Sequence, residues 1–254
     1  MPSIQEIYEK LCLWAPPETQ MDFDNSGFLL GHGERAVTRV LLSLDITVPV
    51  IEEAADWGAE LIVSHHPLIF HPLRSLHETG EGGRALRLAE KGIAAICMHT
   101  NLDIAQGGVN DVLIRLLGAE PEAPLDPEGC GRVGTLPEAL PLCDFLARCK
   151  ERLGAEGLRY VNGGRPVRRL AVMGGSGGSA LGYAVSKGCD SYVTADVKHD
   201  VFLEAAELGV NLIDAGHFCT ENPVIPALCA RLREAFPAVD FRVSQRHTQT
   251  PHFF

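Results

Sequence analysis

The chain has 254 residues, of which 46% are hydrophobic and 22% are charged. These proportions are typical of a folded globular protein and argue against a disordered tail or a fibre. There are 22 Lys and Arg against 33 Asp and Glu, so the formal charge is −11 when the histidines are neutral. This acidic balance disfavours sequence-independent binding to nucleic acid or to an anionic membrane surface.

No apolar run approaches the roughly 18 residues that a membrane span needs. The amino terminus lacks the basic start and apolar core of a secretory signal, so we expect a cytoplasmic protein with no membrane association. None of the eight cysteines forms a C-x-x-C pair, which argues against a zinc ribbon or thioredoxin-like chemistry. In a reducing compartment we expect these thiols to be free.

The first half of the chain alternates apolar strands with helices. Residues Ile4, Ile7, Tyr8 and Leu11 are spaced like one face of a first helix. The pattern then predicts strands at residues 39–45, 59–64 and 93–98, with helices at 48–58 and 83–91 between them. Near-continuous apolar strands separated by helices are typical of a parallel sheet that is covered on both faces.

A similar order recurs in the second half. We predict a helix at residues 142–153, strands at 167–173, 189–194 and 210–214, helices at 180–187 and 201–208, and a last strand at 239–244. Residues 118–141 are rich in Pro, Gly and Glu and are the predicted boundary. We therefore expect an α/β protein with two related lobes and largely parallel sheets, residues 1–125 and 126–254, with the last strand able to pack back on the first lobe.

Two groups of candidate metal ligands follow strands of the first half. His65 and His66 come directly after the second strand, where open α/β sheets bind ligands, and neutral imidazole is a common metal ligand. The alternative is a loop with local hydrogen bonds. Asp103 follows the third strand, with His99 and Asn101 able to orient it. Alternatively, this segment only shapes a turn or caps a helix.

A third group follows the last predicted strand of the second half. His217 and Glu221 are four residues apart, a spacing that places both side chains on one face of a helix. Such a pair can hold a divalent ion, and the glutamate is long enough to bridge two ions. The alternative is that Glu221 only begins a helix before Pro223.

Taken together, the three groups supply three imidazoles and two carboxylates. This set suits two divalent ions of intermediate softness, such as Zn, Mn, Fe, Co or Ni. Carboxylates that bridge two such ions, with water at open positions, form a hydrolytic site. A histidine that is not a ligand, His99 or His199, is the candidate for proton transfer.

Four ordered motifs resemble those of the YbgI-like (NIF-three-like) proteins, which are widely labelled GTP cyclohydrolase 1 type 2 homologues. They are Asp22-Phe23-Asp24-Asn25-Ser26-Gly27, Ser64-His65-His66-Pro67-Leu68-Ile69-Phe70, His99-Thr100-Asn101-Leu102-Asp103 and Gly216-His217-Phe218-Cys219-Thr220-Glu221. The resemblance runs from about Pro16 through Pro223. It implies two related α/β lobes with a dinuclear metal site in the cleft between them, and a ring-shaped homo-oligomer, often a hexamer built from dimers. The implied ligands are His65, His66, Asp103, His217 and Glu221, with Glu221 as the bridge.

The sequence also departs from the family pattern. Longer members carry an inserted domain, for which residues 118–141 leave no room, so the function of that insertion does not transfer. Ala195 and Asp196 stand where the family usually has Gly and Glu, which makes Asp196 and His199 candidates for orienting a ligand or contacting substrate, or for solvated loop positions. The glycine-rich turn at residues 174–178 could cradle a phosphate or allow tight packing. We expect four further histidines to be on the surface: His71, His77, His247 and His252.

Two functional hypotheses follow. The first is a metal-dependent hydrolase of the GTP cyclohydrolase type, in which activated water attacks the purine C8 of a nucleotide; another cyclic amide or a phosphoester fits the same residues. The second is a metal-binding regulatory or scaffold protein without turnover, which delivers metal or docks a partner. A nucleic-acid role ranks third because of the acidic charge.

Overall fold

The computed structural model describes all residues from Met1 to Phe254. In chain order the helices are α1 (Ile4–Trp14), α2 (Val48–Trp57), α3 (Gly80–Lys91), α4 (Thr100–Ile104), α5 (Val109–Leu116), α6 (Leu142–Leu153), α7 (Leu181–Ser186), α8 (His199–Leu208), α9 (His217–Glu221) and α10 (Val224–Ala235). The strands are β1 (Gly27–Leu30), β2 (Arg39–Ser43), β3 (Leu61–Ser64), β4 (Ala94–Cys97), β5 (Ala123–Pro124), β6 (Arg132–Leu140), β7 (Arg159–Val161), β8 (Val167–Ser176), β9 (Ser191–Ala195), β10 (Asn211–Asp214) and β11 (Asp240–Val243). None of the helices combines the length and the apolar character that crossing a membrane would require.

The chain forms two compact units. The first contains Met1–Ala105 and Ile225–Thr248, and the second contains Gln106–Val224 and Gln249–Phe254. This division differs from the predicted one at residue 125 because α5 packs against β6 and β8 and so belongs to the second unit. The predicted boundary segment, residues 118–141, is not a linker: it carries β5 and β6, and β6 is paired with β8.

The first unit is built on a five-stranded sheet in the order β1-β4-β3-β2-β11. Strands β2, β3, β4 and β11 run parallel, and β1 is antiparallel at one edge. The carboxyl-terminal strand β11 lies beside β2, with Phe241 opposite Val40. On one side of the sheet, the apolar face of α2 buries Ile51 among the strand residues Leu41 and Ile62, and this burial removes apolar surface from water.

The second unit is built on a six-stranded sheet in the order β5-β6-β8-β9-β10-β7. Its central strands β8, β9 and β10 run parallel, and the outer strands are antiparallel to their neighbours. Phe145 of α6 is fully buried in a core with Leu170, Val193 and Ile213, one from each central strand. The predicted α/β class with two lobes and mostly parallel sheets is therefore confirmed.

Candidate metal centre

In the first unit, polar residues collect at the carboxyl ends of three neighbouring strands. Asp45 follows β2, His65 and His66 come directly after β3, and His99 follows β4. Because these strands are parallel neighbours, their carboxyl ends meet at the same edge of the sheet. One potential ligand atom from each of His65, His66 and His99 lies within 4.8 Å of the other two.

The orientation of His65 and His66 is fixed by oxygen atoms at one ring nitrogen. His65 is fully buried, and its Nδ1 lies 2.9 Å from the backbone oxygen of Met98. His66 Nδ1 lies 2.7 Å from Asp45 Oδ1. A carbonyl or carboxylate oxygen can only accept, so Nδ1 carries the proton and Nε2 carries the lone pair in both neutral rings. This is the tautomer that coordinates a metal through Nε2.

His99 is held in the same way by the first sequence motif. Its Nδ1 lies 2.7 Å from Asp24 Oδ1, while Thr100 N and Ser26 Oγ donate to Asp24 Oδ2 at 3.0 and 2.8 Å. Burial alone would raise the pKa of Asp24, but these hydrogen bonds outweigh it and hold the pKa well below its ordinary value. Asp24 is therefore a charged acceptor, and the motif around it orients His99.

Asp103 belongs to α4, which begins directly after His99. Its backbone N–H donates to the His99 carbonyl at 3.1 Å, and its Oδ1 lies 3.7 Å from His65 Nε2. Asp103 is 9% exposed. Three of the predicted ligands, His65, His66 and Asp103, therefore lie together in the first unit, and His99 lies with them.

In the second unit, the loops after β9 and β10 are joined by Asp214, the last residue of β10. Asp214 Oδ2 accepts from Val197 N at 3.0 Å, and Oδ1 accepts from Gly216 N at 3.1 Å. Val197 directly follows Asp196, and Gly216 directly precedes His217. Asp214 thereby sets the backbone positions from which the side chains of Asp196 and His217 meet.

His217 has a carboxylate oxygen at each ring nitrogen. Its Nδ1 lies 2.6 Å from Asp196 Oδ2, and its Nε2 lies 3.0 Å from Glu221 Oε2. A neutral imidazole has one N–H, so it can donate to one carboxylate and must face the other with a lone pair. Two acceptor atoms at this distance repel unless positive charge, a proton or a metal cation, lies beside them. The His217–Glu221 pair is thus a place that favours a cation.

Gly174 and Gly175, which the sequence predicted in a turn, belong to the end of β8 and form a wall against Glu221, which is only 4% exposed. A Cβ atom at Gly174 would lie 3.2 Å from Glu221 Cγ, and one at Gly175 would lie 2.1 Å from Glu221 Oε1. Gly175 also has a φ of +64°, which side chains rarely adopt. The glycines therefore allow the backbone to approach the carboxylate closely.

Three N–H groups of the glycine-rich segment at residues 174–178 are not available to a phosphate. Gly174 N donates to Asn110 Oδ1 at 2.9 Å, and Gly175 N donates to Thr220 Oγ1 at 3.0 Å. Gly177 N donates to the Gly175 carbonyl at 3.0 Å. A cradle needs N–H groups that point at the anion, and these three are used within the protein, so the close approach of Gly174 and Gly175 to Glu221 favours the tight-packing alternative.

Two other histidines, His199 and His247, differ in their burial. His199 is exposed at the start of α8, and no hydrogen bond or ion pair joins it to His217 or Glu221. His247, expected on the surface, has a side chain only 7% exposed, with its Nε2 3.0 Å from Asp45 Oδ2. The contact between Asp45 and His247 was not predicted from the sequence. The position of Asp45 just after a strand is a usable signal, whereas nothing local to His247 reveals its contact.

The donor atoms of each unit fit divalent metal ions. The imidazoles have one ring nitrogen fixed by an oxygen acceptor, as metal-binding histidines almost always do. Imidazole and carboxylate donors suit ions of intermediate softness such as Zn, Mn, Fe, Co and Ni. Groups of His and carboxylate side chains that could hold a metal ion are therefore present in the protein.

Comparisons with known proteins agree with the sequence motifs. A family model described as Duf34/NIF3 (NGG1p interacting factor 3) matches residues 2–251. A protein of Clostridium perfringens called GTP cyclohydrolase 1 type 2 homolog is 35% identical over 240 residues, which cover 91% of this chain and 92% of that protein.

Solved structures show the same fold. A hypothetical protein of Staphylococcus aureus matches with a TM-score of 0.92 and 29% identity, covering 100% of both chains. The structure titled reduced HcgD from Methanocaldococcus jannaschii matches with a TM-score of 0.83 and 29% identity, covering 96% of this chain and 98% of that one. The family match over nearly the whole length, the relatives and the motifs around the candidate ligands lead to one conclusion: the chain belongs to the Duf34/NIF3 (NGG1p interacting factor 3) family.

Proposed function

We propose that this protein is a metal-dependent hydrolase similar to GTP cyclohydrolase 1 type 2, with a dinuclear centre. Five ligands would hold the two ions: His65, His66, Asp103, His217 and Glu221. The observation that carries the proposal is that the three histidines among them share one arrangement, with Nδ1 beside an oxygen of Met98, Asp45 or Asp196. This arrangement recurs in both units. Fixing each ring lowers its side-chain conformational entropy, which a solvated loop histidine would retain.

When bound, divalent ions of this class lower the pKa of water towards roughly 7 and polarise a substrate oxygen. His99 is the residue that would move the proton. Asp24 fixes the proton of His99 on Nδ1, so Nε2 is the atom that accepts a proton from the attacking water. The charged Asp24 carboxylate then stabilises the imidazolium that forms, as a buried aspartate does in a catalytic triad. His199, which is exposed at the start of α8, is the weaker candidate for this role.

The substrate we propose is a small molecule with a hydrolysable ring or ester: a purine nucleotide attacked at C8, or another cyclic amide or a phosphoester. The name of the Clostridium perfringens relative favours the nucleotide. We further propose that the protein works in the cytoplasm as a homo-oligomer, a toroidal hexamer, as the family resemblance implies.

Elemental analysis of freshly purified protein tests the metal centre. We expect about two divalent ions per chain in the wild type, and a loss of metal in His66→Ala and Glu221→Gln. His77→Ala is the matched control, because His77 is exposed and lies outside the site. Absence of metal from the wild type, even after reconstitution with Zn²⁺ or Mn²⁺, would remove the proposal.

Turnover is tested on the metal-loaded protein with GTP, cyclic amides and generic phosphoesters. Hydrolysis that His66→Ala abolishes, at an unchanged oligomer size and with His77→Ala active, supports the enzyme. Metal binding with no turnover of any substrate in this panel contradicts the hydrolase proposal. It favours a regulatory or scaffold protein, for which a metal-loaded site is sufficient.

A further inference from the structure

The segment that follows β11 is held firmly against α2. Glu53 of α2 accepts hydrogen bonds from Gln245 N at 2.8 Å, from Arg246 N at 3.0 Å and from the Ser244 hydroxyl. Arg246 also pairs with Asp56 of the same helix at 2.8 Å. One glutamate thus fixes three consecutive residues of the chain, which determines where the next residue, His247, lies.

His247 reaches the candidate ligand His66 through a single carboxylate. Asp45 Oδ2 lies 3.0 Å from His247 Nε2, and Asp45 Oδ1 lies 2.7 Å from His66 Nδ1. Both oxygens of Asp45 are therefore occupied by imidazole nitrogens. The side chain of His247 is only 7% exposed, although 42% of the Asp45 side chain is exposed. His247 covers one side of a carboxylate that would otherwise be free to rotate in water.

We propose that His247 is a positioning residue for His66, acting through Asp45. A carboxylate bonded at one oxygen can rotate about χ2, whereas bonds at both oxygens hold its plane and hence the direction in which Oδ1 accepts from His66. The plane of Asp45 in turn sets the ring orientation and tautomer of His66. Groups that act in this way on a metal ligand change metal affinity although they do not touch the metal.

This inference rests on the proposed function for its metal readout, and a metal-free readout keeps the two apart. In protein without metal, isotope-labelled histidine and NMR of the ring nitrogens report the tautomer of His66. We expect the Nδ1-protonated form in the wild type and a mixture of tautomers in His247→Ala. His252→Ala is the control, because His252 lies near the carboxyl terminus, is exposed and forms an ion pair with the surface residue Glu156.

The second readout is Co²⁺, whose visible absorption reports the ligand field. We expect His247→Ala to bind Co²⁺ about threefold to tenfold more weakly, less than the loss seen when a direct partner of a ligand is removed, and to shift the absorption bands. His247→Gln keeps an N–H donor on a side chain of similar length, so it should restore the Co²⁺ affinity and the positions of the absorption bands. Glu53→Gln, which loosens the segment without touching Asp45, should reproduce the loss.

Two results would show whether His247 orients His66. If His247→Ala and His252→Ala have the same His66 tautomer and the same Co²⁺ affinity and spectrum, His247 does not position His66. If the wild type binds no Co²⁺, the proposed function fails, while the NMR comparison still decides whether His247 orients His66. Thermal unfolding of each variant identifies any that fails to fold; if His247→Ala does, Glu53→Gln against the wild type decides, because it is expected to reproduce the loss.

Discussion

Asp196 Oδ2 lies 2.6 Å from His217 Nδ1, and Asp196 reaches it from a left-handed backbone conformation with a φ of 52°. It is the only non-glycine residue of the chain with a positive φ. This conformation costs roughly 1–2 kcal/mol for most residues and less for Asp or Asn. Such a cost is usual at functional sites, where the surrounding structure maintains it. Here Asp214 fixes the adjacent loops, and the carboxylate of Asp196 reaches the imidazole.

Replacing Asp196 with Asn tests the value of this carboxylate. Asparagine also tolerates the left-handed conformation, so we expect Asp196→Asn to fold with an unchanged Tm. The neutral amide holds the His217 N–H less strongly, and we expect Zn²⁺ affinity to fall about tenfold. Competition with a chromophoric chelator measures this. Equal affinities of the variant and the wild type would show that Asp196 does not support the metal site.

Glycine at position 175 is required by the contact with Glu221 as well as by the backbone. We expect Gly175→Ala to lower the free energy of unfolding by about 2–4 kcal/mol, because strain and a clash with a buried side chain both contribute. Gly188→Ala is the control: Gly188 has a φ of +70° and open space where a Cβ would lie. Because a Cβ atom there would displace nothing, Gly188→Ala should lower the free energy of unfolding only through the strained backbone conformation, by about 1 kcal/mol. Urea unfolding measures both variants. If Gly175→Ala and Gly188→Ala lose the same free energy of unfolding, the close contact with Glu221 does not contribute to the loss.

Glu53 makes part of the stability depend on pH. Burial alone would raise its pKa, but hydrogen bonds from Gln245, Ser244 and Arg246 outweigh it and hold the pKa below the ordinary 4.5. Because the folded pKa is the lower one, the charged form stabilises the fold above pH 4.5, and this contribution is lost as the pH falls through the folded pKa.

We therefore expect Glu53→Gln to be less stable than the wild type by roughly 1 kcal/mol at neutral pH, discounted for the exposure of this side chain. The difference should shrink as the pH falls below 4.5. Urea unfolding of both proteins across this range measures it. A difference that stays constant would show that the charge of Glu53 is not involved.

The cysteines differ in their reactivity. Burial raises the pKa of the Cys97 and Cys149 thiols to about 12, which leaves almost no thiolate at neutral pH. Cys143 is exposed. We expect iodoacetamide to modify Cys143 first in the native protein and to reach Cys97 and Cys149 only after unfolding. Peptide mass spectrometry gives the order, and early modification of Cys97 would contradict the burial of this residue in the structure.

The sequence predicts well those features whose signal is local. Helix α6 (Leu142–Leu153) matches its predicted range, and the parallel central strands were found because their residues are continuously apolar. The clusters around His65 and Asp103 could be placed together because parallel strands direct their carboxyl ends to one edge. The spacing of His217 and Glu221 likewise predicted that the two side chains would meet, and they do.

Features that depend on distant partners could not be predicted. Strand β6 contains Pro137 and Gly134, which weaken a strand, and it forms because it pairs with β8. The contact of His247 with Asp45 joins residues about two hundred positions apart, and it depends on β11 lying beside β2. No local pattern marks either pairing.

The place of β11 in the first sheet has a consequence for synthesis of the protein. The nascent chain delivers residues 106–224, nearly all of the second unit, before Asp240–Val243 leaves the ribosome. Until then the outer edge of β2 has no neighbouring strand, and an uncovered edge is a template for joining another polypeptide. Premature termination before Asp240 should therefore yield molecules that retain nearly all of the second unit but aggregate through the uncovered edge of β2 in the first unit.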